Sequence, residues 1–278
     1  TFMHYVIFPE KAIPPSRTPV IMPNLNGQKS DMFGKGDDVM LFALACMSTA
    51  LGGKWHRLFT STEDGLSFNR LLLALHGYSG PTLLVIRSVC GGIFGAYSSS
   101  PWKESKDFYG KPDTFLYQLK PDFGVYRSRN RNDNYQYCNP EARSKGYDGL
   151  AHGIGFGGNS TEPRLFLEEK MERCVARASD MTFEAGALLP PLENEEFGQK
   201  HIYFEIDTLE VWGVGGDDVV NDALGDRKMQ REITAANIQK ARKVDKAQFL
   251  DDMRSGLIDN KNFKHREQLR EDIEVLKS

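Results

Sequence analysis

The chain has 278 residues, 40% hydrophobic, 11% aromatic and 26% charged, enough apolar material for a sizeable core and too aromatic for a disordered chain. Its 35 basic and 38 acidic residues give a formal net charge of −3, which removes the global electrostatic case for a nucleic-acid binder and leaves only a local basic patch open. The longest apolar run, around Val39 to Leu51, is interrupted by Ser48 and Thr49 and falls short of the ~20 residues that a membrane-crossing helix needs.

The chain opens Thr1-Phe2-Met3, with no initiator Met and no basic leader ending in a small-residue cleavage site, so it reads as a fragment or as a chain whose true start is missing. Residues 1–36 hold Pro9, Pro14, Pro15, Pro19 and Pro23 without sustained periodicity, which predicts an extended lead-in lying over something else. From Asp37 and Asp38 the run Val39, Leu41, Phe42, Leu44, Ala45, Met47 and Leu51 is apolar nearly all round. With acidic residues at its positive end, it predicts a buried helix that stops at Gly52-Gly53.

Short strand-like runs follow: Trp55–Thr60, Thr82–Ser88, Ile93–Ser98, Phe115–Leu119, Val125–Arg127, Tyr135–Tyr137, Leu165–Leu167 and Ile202–Val214. Turn clusters separate them, and Cys90-Gly91-Gly92 between two apolar runs predicts a hairpin. Regular short strands predict packed antiparallel sheets. One helix interrupts them: Ser67 is placed as N-cap, Phe68, Leu71, Leu72 and Leu75 share an apolar stripe, and Gly77 ends it. The fold class is α+β, mainly β.

After Gly215-Gly216 the composition changes. Residues 217–278 contain 13 basic and 13 acidic residues, two aromatics, Phe249 and Phe263, and no proline. This predicts a mixed-charge helical extension over 216–278, divided near Ser255-Gly256 and Asp259-Asn260. Met229, Ile233 and Ala236 follow helical spacing, as do Phe249 and Met253, and Leu269, Ile273 and Leu276. Such narrow stripes bury themselves either on a partner or back on their own domain, and these residues are the candidate partner contacts.

Signals for chemistry are weak. His152 to Gly158 contains GxGxxG spacing, but Asn159-Ser160-Thr161-Glu162-Pro163 follows where a dinucleotide site needs a helix to open, so a glycine-rich strand in close backbone contact is the better reading. There is no phosphate loop and no GxSxG elbow. Cys46, Cys90, Cys138 and Cys174 lie far apart without CxxC pairing, and the six histidines are scattered. Free thiols in a reducing compartment are expected, with neither metal nor cofactor. Asn159-Ser160-Thr161 fits a glycosylation sequon, expected to be inert without secretion. Glu205 and Asp207 share one strand face and Glu210 the other; carboxylates so placed usually sit in solvent. No catalytic residue is assigned.

The blocks Trp55 to Gly65, Ser67 to Leu71 and Gly77 to Ile86 resemble the opening of a TLDc domain, the domain of the oxidation-resistance family. The likeness continues in order through Ile93-Phe94-Gly95-Ala96-Tyr97, Pro101-Trp102, Phe108-Tyr109-Gly110, Thr114-Phe115-Leu116, Val125-Tyr126, Gly153-Ile154-Gly155-Phe156-Gly157-Gly158 and Leu209-Glu210-Val211-Trp212-Gly213-Val214. It covers about residues 37–215. The resemblance implies a two-sheet β sandwich with flanking helices, in which Trp55, Phe94, Gly95, Trp102, Gly155, Gly157, Gly158, Glu210 and Trp212 are structural motif residues. The family's loop before the last strand often carries a cysteine near a Thr-Phe pair. Here Cys174 precedes Thr182-Phe183 by eight residues, so no thiol role is carried over.

The resemblance further implies a non-enzymatic protein linked to oxidative-stress resistance that binds and regulates the vacuolar proton-pumping ATPase. A lysosomal, mTOR-linked member of the family has a comparable C-terminal helical segment contacting that pump. The expected setting is cytoplasmic, peripheral to a lysosomal or vacuolar membrane. The alternative from a different class is a scaffold component of a cytoskeletal or axonemal assembly, with tubulin or other axonemal proteins of the cilium as partners. A third reading, direct peroxide scavenging, would require a reactive thiol.

Overall fold

In the computed structural model, which describes residues 19–34, 36–140, 151–159, 161–190 and 201–254, the apolar runs of the central region pair as antiparallel strands. One group consists of β3 (His56–Thr60), β4 (Thr82–Ser88), β5 (Ile93–Ser98), β6 (Phe115–Lys120), β7 (Gly124–Arg127) and β13 (Ile206–Gly213). These form a six-stranded sheet in the order β3-β13-β4-β5-β6-β7. A second group, β8 (Tyr137–Asn139), β9 (Gly153–Gly158), β10 (Pro163–Glu168), β11 (Cys174–Ala176) and β12 (Ile202–Phe204), forms a five-stranded sheet in the order β12-β11-β10-β9-β8. Two short segments, β1 (Pro23–Asn24) and β2 (Gly53–Lys54), pair in parallel.

The six-stranded sheet is covered on both faces, which is why its central strands read as continuous apolar runs rather than alternating ones. Along β4, Leu84 and Ile86 join a core with Phe156, Leu165 and Leu167 of the other sheet. Leu83 and Val85 point the opposite way, to a second core with Trp55, Trp212 and helix α1 (Asp38–Met47). Helix α1 buries Met40, Leu41, Ala43, Leu44, Ala45 and Met47, and a 3-10 turn (Thr49–Leu51) follows it. A short helix α2 (Ser61–Asp64) precedes α3 (Phe68–Leu75), whose Phe68, Leu71 and Leu75 enter the inter-sheet core. Ser67 occupies the N-cap of α3, without a side-chain capping bond.

Three details depart from the pattern reading. The run Ile202–Val214 is two strands in different sheets: the chain leaves one at Glu205, whose carbonyl accepts from Val89 N at 3.1 Å, and enters the other at Ile206. The strand expected at Tyr135–Tyr137 is displaced to Tyr137–Asn139, because Gln136 bridges to Tyr109 instead. Strand β11 and helix α2 had no sequence signal.

The described part of the lead-in is tied to the sheet. Met32 and Phe33 are buried in the second core, and Trp55 N donates to the Asn24 carbonyl at 2.8 Å. Beyond β13, α4 (Asp217–Arg254) begins directly after Gly216. Val220 and Ala223 in its first turns are buried. Two compact units divide the chain between Lys228 and Met229.

Candidate functional site

The motif residues are distributed through the two cores. Trp55 and Trp212 are fully buried, their rings 6.0 Å apart, and Trp55 Nε1 donates to the Leu51 carbonyl at 2.9 Å. Phe94 meets Phe204 edge to face at 5.1 Å between the sheets. Trp102, partly buried, donates from Nε1 to Thr82 Oγ1 at 2.9 Å and packs on Phe156. Gly95 lies where β4 and β6 leave no room: a Cβ there would stand 1.9 Å from the Leu84 carbonyl oxygen and 2.8 Å from the Tyr117 hydroxyl. That hydroxyl donates to the same carbonyl at 2.8 Å.

Glu210 does not lie in solvent. It is fully buried and accepts three hydrogen bonds, from Ser30 Oγ (2.7 Å), Asp31 N (2.7 Å) and Trp212 Nε1 (2.9 Å). Burial pushes its carboxyl up, and the three donors oppose that shift. All three neighbours donate and none accepts, so the group clips the lead-in to the last strand as a carboxylate. Asp207 is exposed and pairs with Arg87, Nε to Oδ2 at 2.6 Å, which lowers its pKa. Glu205 is exposed as well. The structure therefore does not gather the three carboxylates into an acid–base pair.

The glycine-rich segment is β9. Gly157 and Gly158 have positive φ, +69° and +72°, and an added Cβ on Gly158 would lie 2.0 Å from the Glu162 carbonyl oxygen. Gly155 lies under the Phe166 ring. The turn that β9 enters is organised by Asp180, whose Oδ2 accepts from Gly158 N (2.8 Å) and Thr182 N (2.9 Å) and whose Oδ1 accepts from Phe183 N (3.2 Å). Arg164, fully buried, places Nη1 3.9 Å from Asp180 Oδ1 and donates from Nη2 to the Gly186 carbonyl at 2.5 Å. Burial lowers the Arg164 pKa to about 10, with Asp180 opposing the shift. Sequence reading missed this pair. Beside it lies an open cleft of about 560 Å³, lined by Asn132, Asn134, Glu162, Arg177 and Asp180; its polar groups largely bond to one another and to nearby backbone.

The thiols divide by environment. Cys138 and Cys174 are buried, and burial pushes both up to about 12. Cys46 is half-buried and also raised, whereas Cys90 is exposed, with Ser88 Oγ 3.1 Å from its sulfur. Among the described residues no group of three or more His, Cys, Asp and Glu side chains could hold a metal ion. No described helix is long and apolar enough to cross a membrane.

Helix α4 has the opposite character. Met229 is 60% exposed, and Ile233 and Ile238 are each 48% exposed. Ala236 is exposed as well. Ile238 stands off the expected stripe and was not anticipated. Phe249 and Met253 lie on α4 outside the residues whose side chains are described, and Leu269, Ile273 and Leu276 lie outside the described residues altogether. The described site residues thus fall into two sets, one buried in the sheets and one exposed on a helix.

A family model for the TLDc domain matches residues 33–215. The MTOR-associated protein MEAK7 of Danio rerio is 31% identical over 177 residues, 64% of this chain and 36% of that protein. Oxidation resistance protein 1 of Xenopus laevis is 32% identical over 118 residues, 42% of this chain and 12% of that protein. Nuclear receptor coactivator 7 of Mus musculus is 34% identical over 84 residues, 30% of this chain and 9% of that protein. The match spans at most about a third of the length of these relatives.

Proposed function

This chain belongs to the TLDc domain family, and from that premise we propose that it is a non-catalytic interaction protein that docks on a large assembly and regulates it. The body over residues 37–215 is the carrier, residues 1–36 are the lead-in, and the extension over 216–278 is the docking element. The observation that carries this reading is the set of exposed apolar residues Met229, Ile233 and Ala236 on a charged helix. Apolar side chains on a surrounding of Lys, Arg, Gln and Glu gain by burial in a partner groove, and a helix in a groove is read through anchors spaced in this way. The partner stretch includes Phe249, Met253, Leu269, Ile273 and Leu276.

The assembly we assign first is the vacuolar proton-pumping ATPase, with the chain peripheral to a lysosomal or vacuolar membrane and linked to oxidative-stress resistance. Support comes from the family resemblance and from relatives whose names carry mTOR association and oxidation resistance. The absence of an assigned enzymatic role follows from the motif residues being engaged in packing, and from the two buried thiols being held protonated.

Binding of the full chain to purified vacuolar ATPase, with polymerised tubulin and isolated axonemes in parallel, tests the assignment. Saturable binding to the ATPase that is weakened by Ile233→Asp is the expected result. Binding to tubulin or axonemes without ATPase binding would replace it with the ciliary scaffold reading.

A further inference from the structure

The near-neutral charge of the extension conceals a reversal along α4. From Asp217 to Asp226 the helix carries Asp217, Asp218, Asp222 and Asp226 and no basic residue. From Lys228 to Lys243 it carries Lys228, Arg231, Lys240, Arg242 and Lys243 against the single Glu232. Among the residues of α4 whose side chains are described, the exposed large apolar ones downstream of this reversal, Met229, Ile233 and Ile238, fall inside the basic stretch.

Their placement restricts what can cover them. At roughly 100° per residue, Met229, Ile233 and Ala236 fall within about 60° of one another, while Ile238 lies on the opposite side of the helix. A flat surface desolvates one side only. An anionic membrane would bury Met229 and Ile233 and leave Ile238 in water, and the stretch lacks the Trp, Phe and Leu that anchor interfacial helices. A partner that encloses the helix, with apolar pockets on two opposed sides and acidic residues around them, covers all three anchors and pairs with Lys228, Lys240, Arg242 and Lys243. Calcium-sensor EF-hand proteins have this chemistry: calcium opens their paired helices to expose flexible, methionine-rich grooves.

We propose that Lys228–Lys243 of α4 is a binding segment for a calcium-loaded, two-lobed EF-hand sensor, so that calcium controls whether α4 is available to its docking partner. The inference rests on the docking reading only in treating α4 as a partner-binding helix.

The test uses the full chain and calmodulin as the probe, by calorimetry with calcium and with EGTA. Saturable binding in calcium, weakened at least about 100-fold by EGTA, is expected. Ile233→Asp and Ile238→Asp should each weaken it about 10-fold, and the pair about 100-fold. Both side chains are about half exposed, so circular dichroism and the melting transition should stay unchanged. No saturable binding in calcium, binding that survives EGTA, or binding that the double variant leaves intact would overturn the proposal. Flotation with phosphatidylserine vesicles in the absence of calmodulin binding would also overturn it, in favour of a lipid surface. Calmodulin binding without ATPase binding would sink only the ATPase assignment, and the converse only the calcium control.

Discussion

Glu210 and Ile233 occupy the wrong places by the simple rule that charges face water and aliphatics do not. Glu210 is fully buried, and Ile233 is 48% exposed. The body can bury a carboxylate because Ser30, Asp31 and Trp212 supply three donors where water would otherwise be needed. The described turns of α4 beyond Lys228 leave aliphatics in water, where burial would lower their free energy. Polar burial in the body therefore marks structural restraint. Apolar exposure on the helix is the feature on which the proposed docking role rests. The family motifs report the first and are almost silent on the second.

The largest effect that separates the two regions is steric. Gly95→Val would place its side chain against the Leu84 carbonyl and the Tyr117 hydroxyl, and should remove at least about 4 kcal/mol of stability, enough to unfold the body in urea titrations. A Gly95→Val variant with near-normal stability would break the claim that β4, β5 and β6 are closed at this point.

Next comes Glu210→Gln. The amide keeps one acceptor and turns an NH2 group toward a donor, so it should cost about 2–3 kcal/mol. The pH dependence carries a defined sign. The native carboxyl is raised above its ordinary value, so the native state binds the proton more tightly than the unfolded state. The group's contribution to stability is therefore greatest at acid pH and declines as pH rises from the ordinary glutamate value through the raised one. Unfolding free energies of the native chain relative to Glu210→Gln should fall across that window and level off above it. A rise instead would mean that the hydrogen bonds outweigh burial.

A smaller effect is expected at the thiols. Cys174→Ser puts a hydroxyl into the inter-sheet core and should cost about 1–2 kcal/mol, whereas Cys90→Ser at the surface should stay within about 0.5 kcal/mol. In the native state an alkylating reagent should label Cys90 well before Cys138 or Cys174, measured by mass spectrometry. Equal labelling would reopen the thiol-based reading. The smallest effect on the body belongs to Ile233→Asp combined with Ile273→Asp, which should leave its melting within about 0.5 kcal/mol. A large loss would mean that these residues pack against the chain itself.

Where side chains alternate or cluster locally, the sequence was readable. Strands β4 and β5 match their apolar patterns residue for residue, and the stripe of α3 matches at Phe68, Leu71 and Leu75, with Leu72 only partly buried. What was hidden depends on distant partners. Ser30 and Asp31 reach Glu210 across 180 and 179 positions, so nothing near Glu210 distinguishes it from a solvated strand carboxylate. Asp180 is legible as a turn residue, but its buried partner Arg164 is not. The sheet change at Glu205 is invisible within a run that is apolar on both sides of it. Ile238 lies off any one-faced stripe, so only its exposure sets it apart.

The most direct test of the separation between body and helix is the affinity of the full chain for purified vacuolar ATPase, measured with and without Ile233→Asp, alongside the melting temperature of each protein. The account predicts that the substitution weakens binding about 10-fold or more while the melting temperature holds. Undiminished binding with an unchanged melting temperature would contradict it, placing the docking surface on the β sandwich.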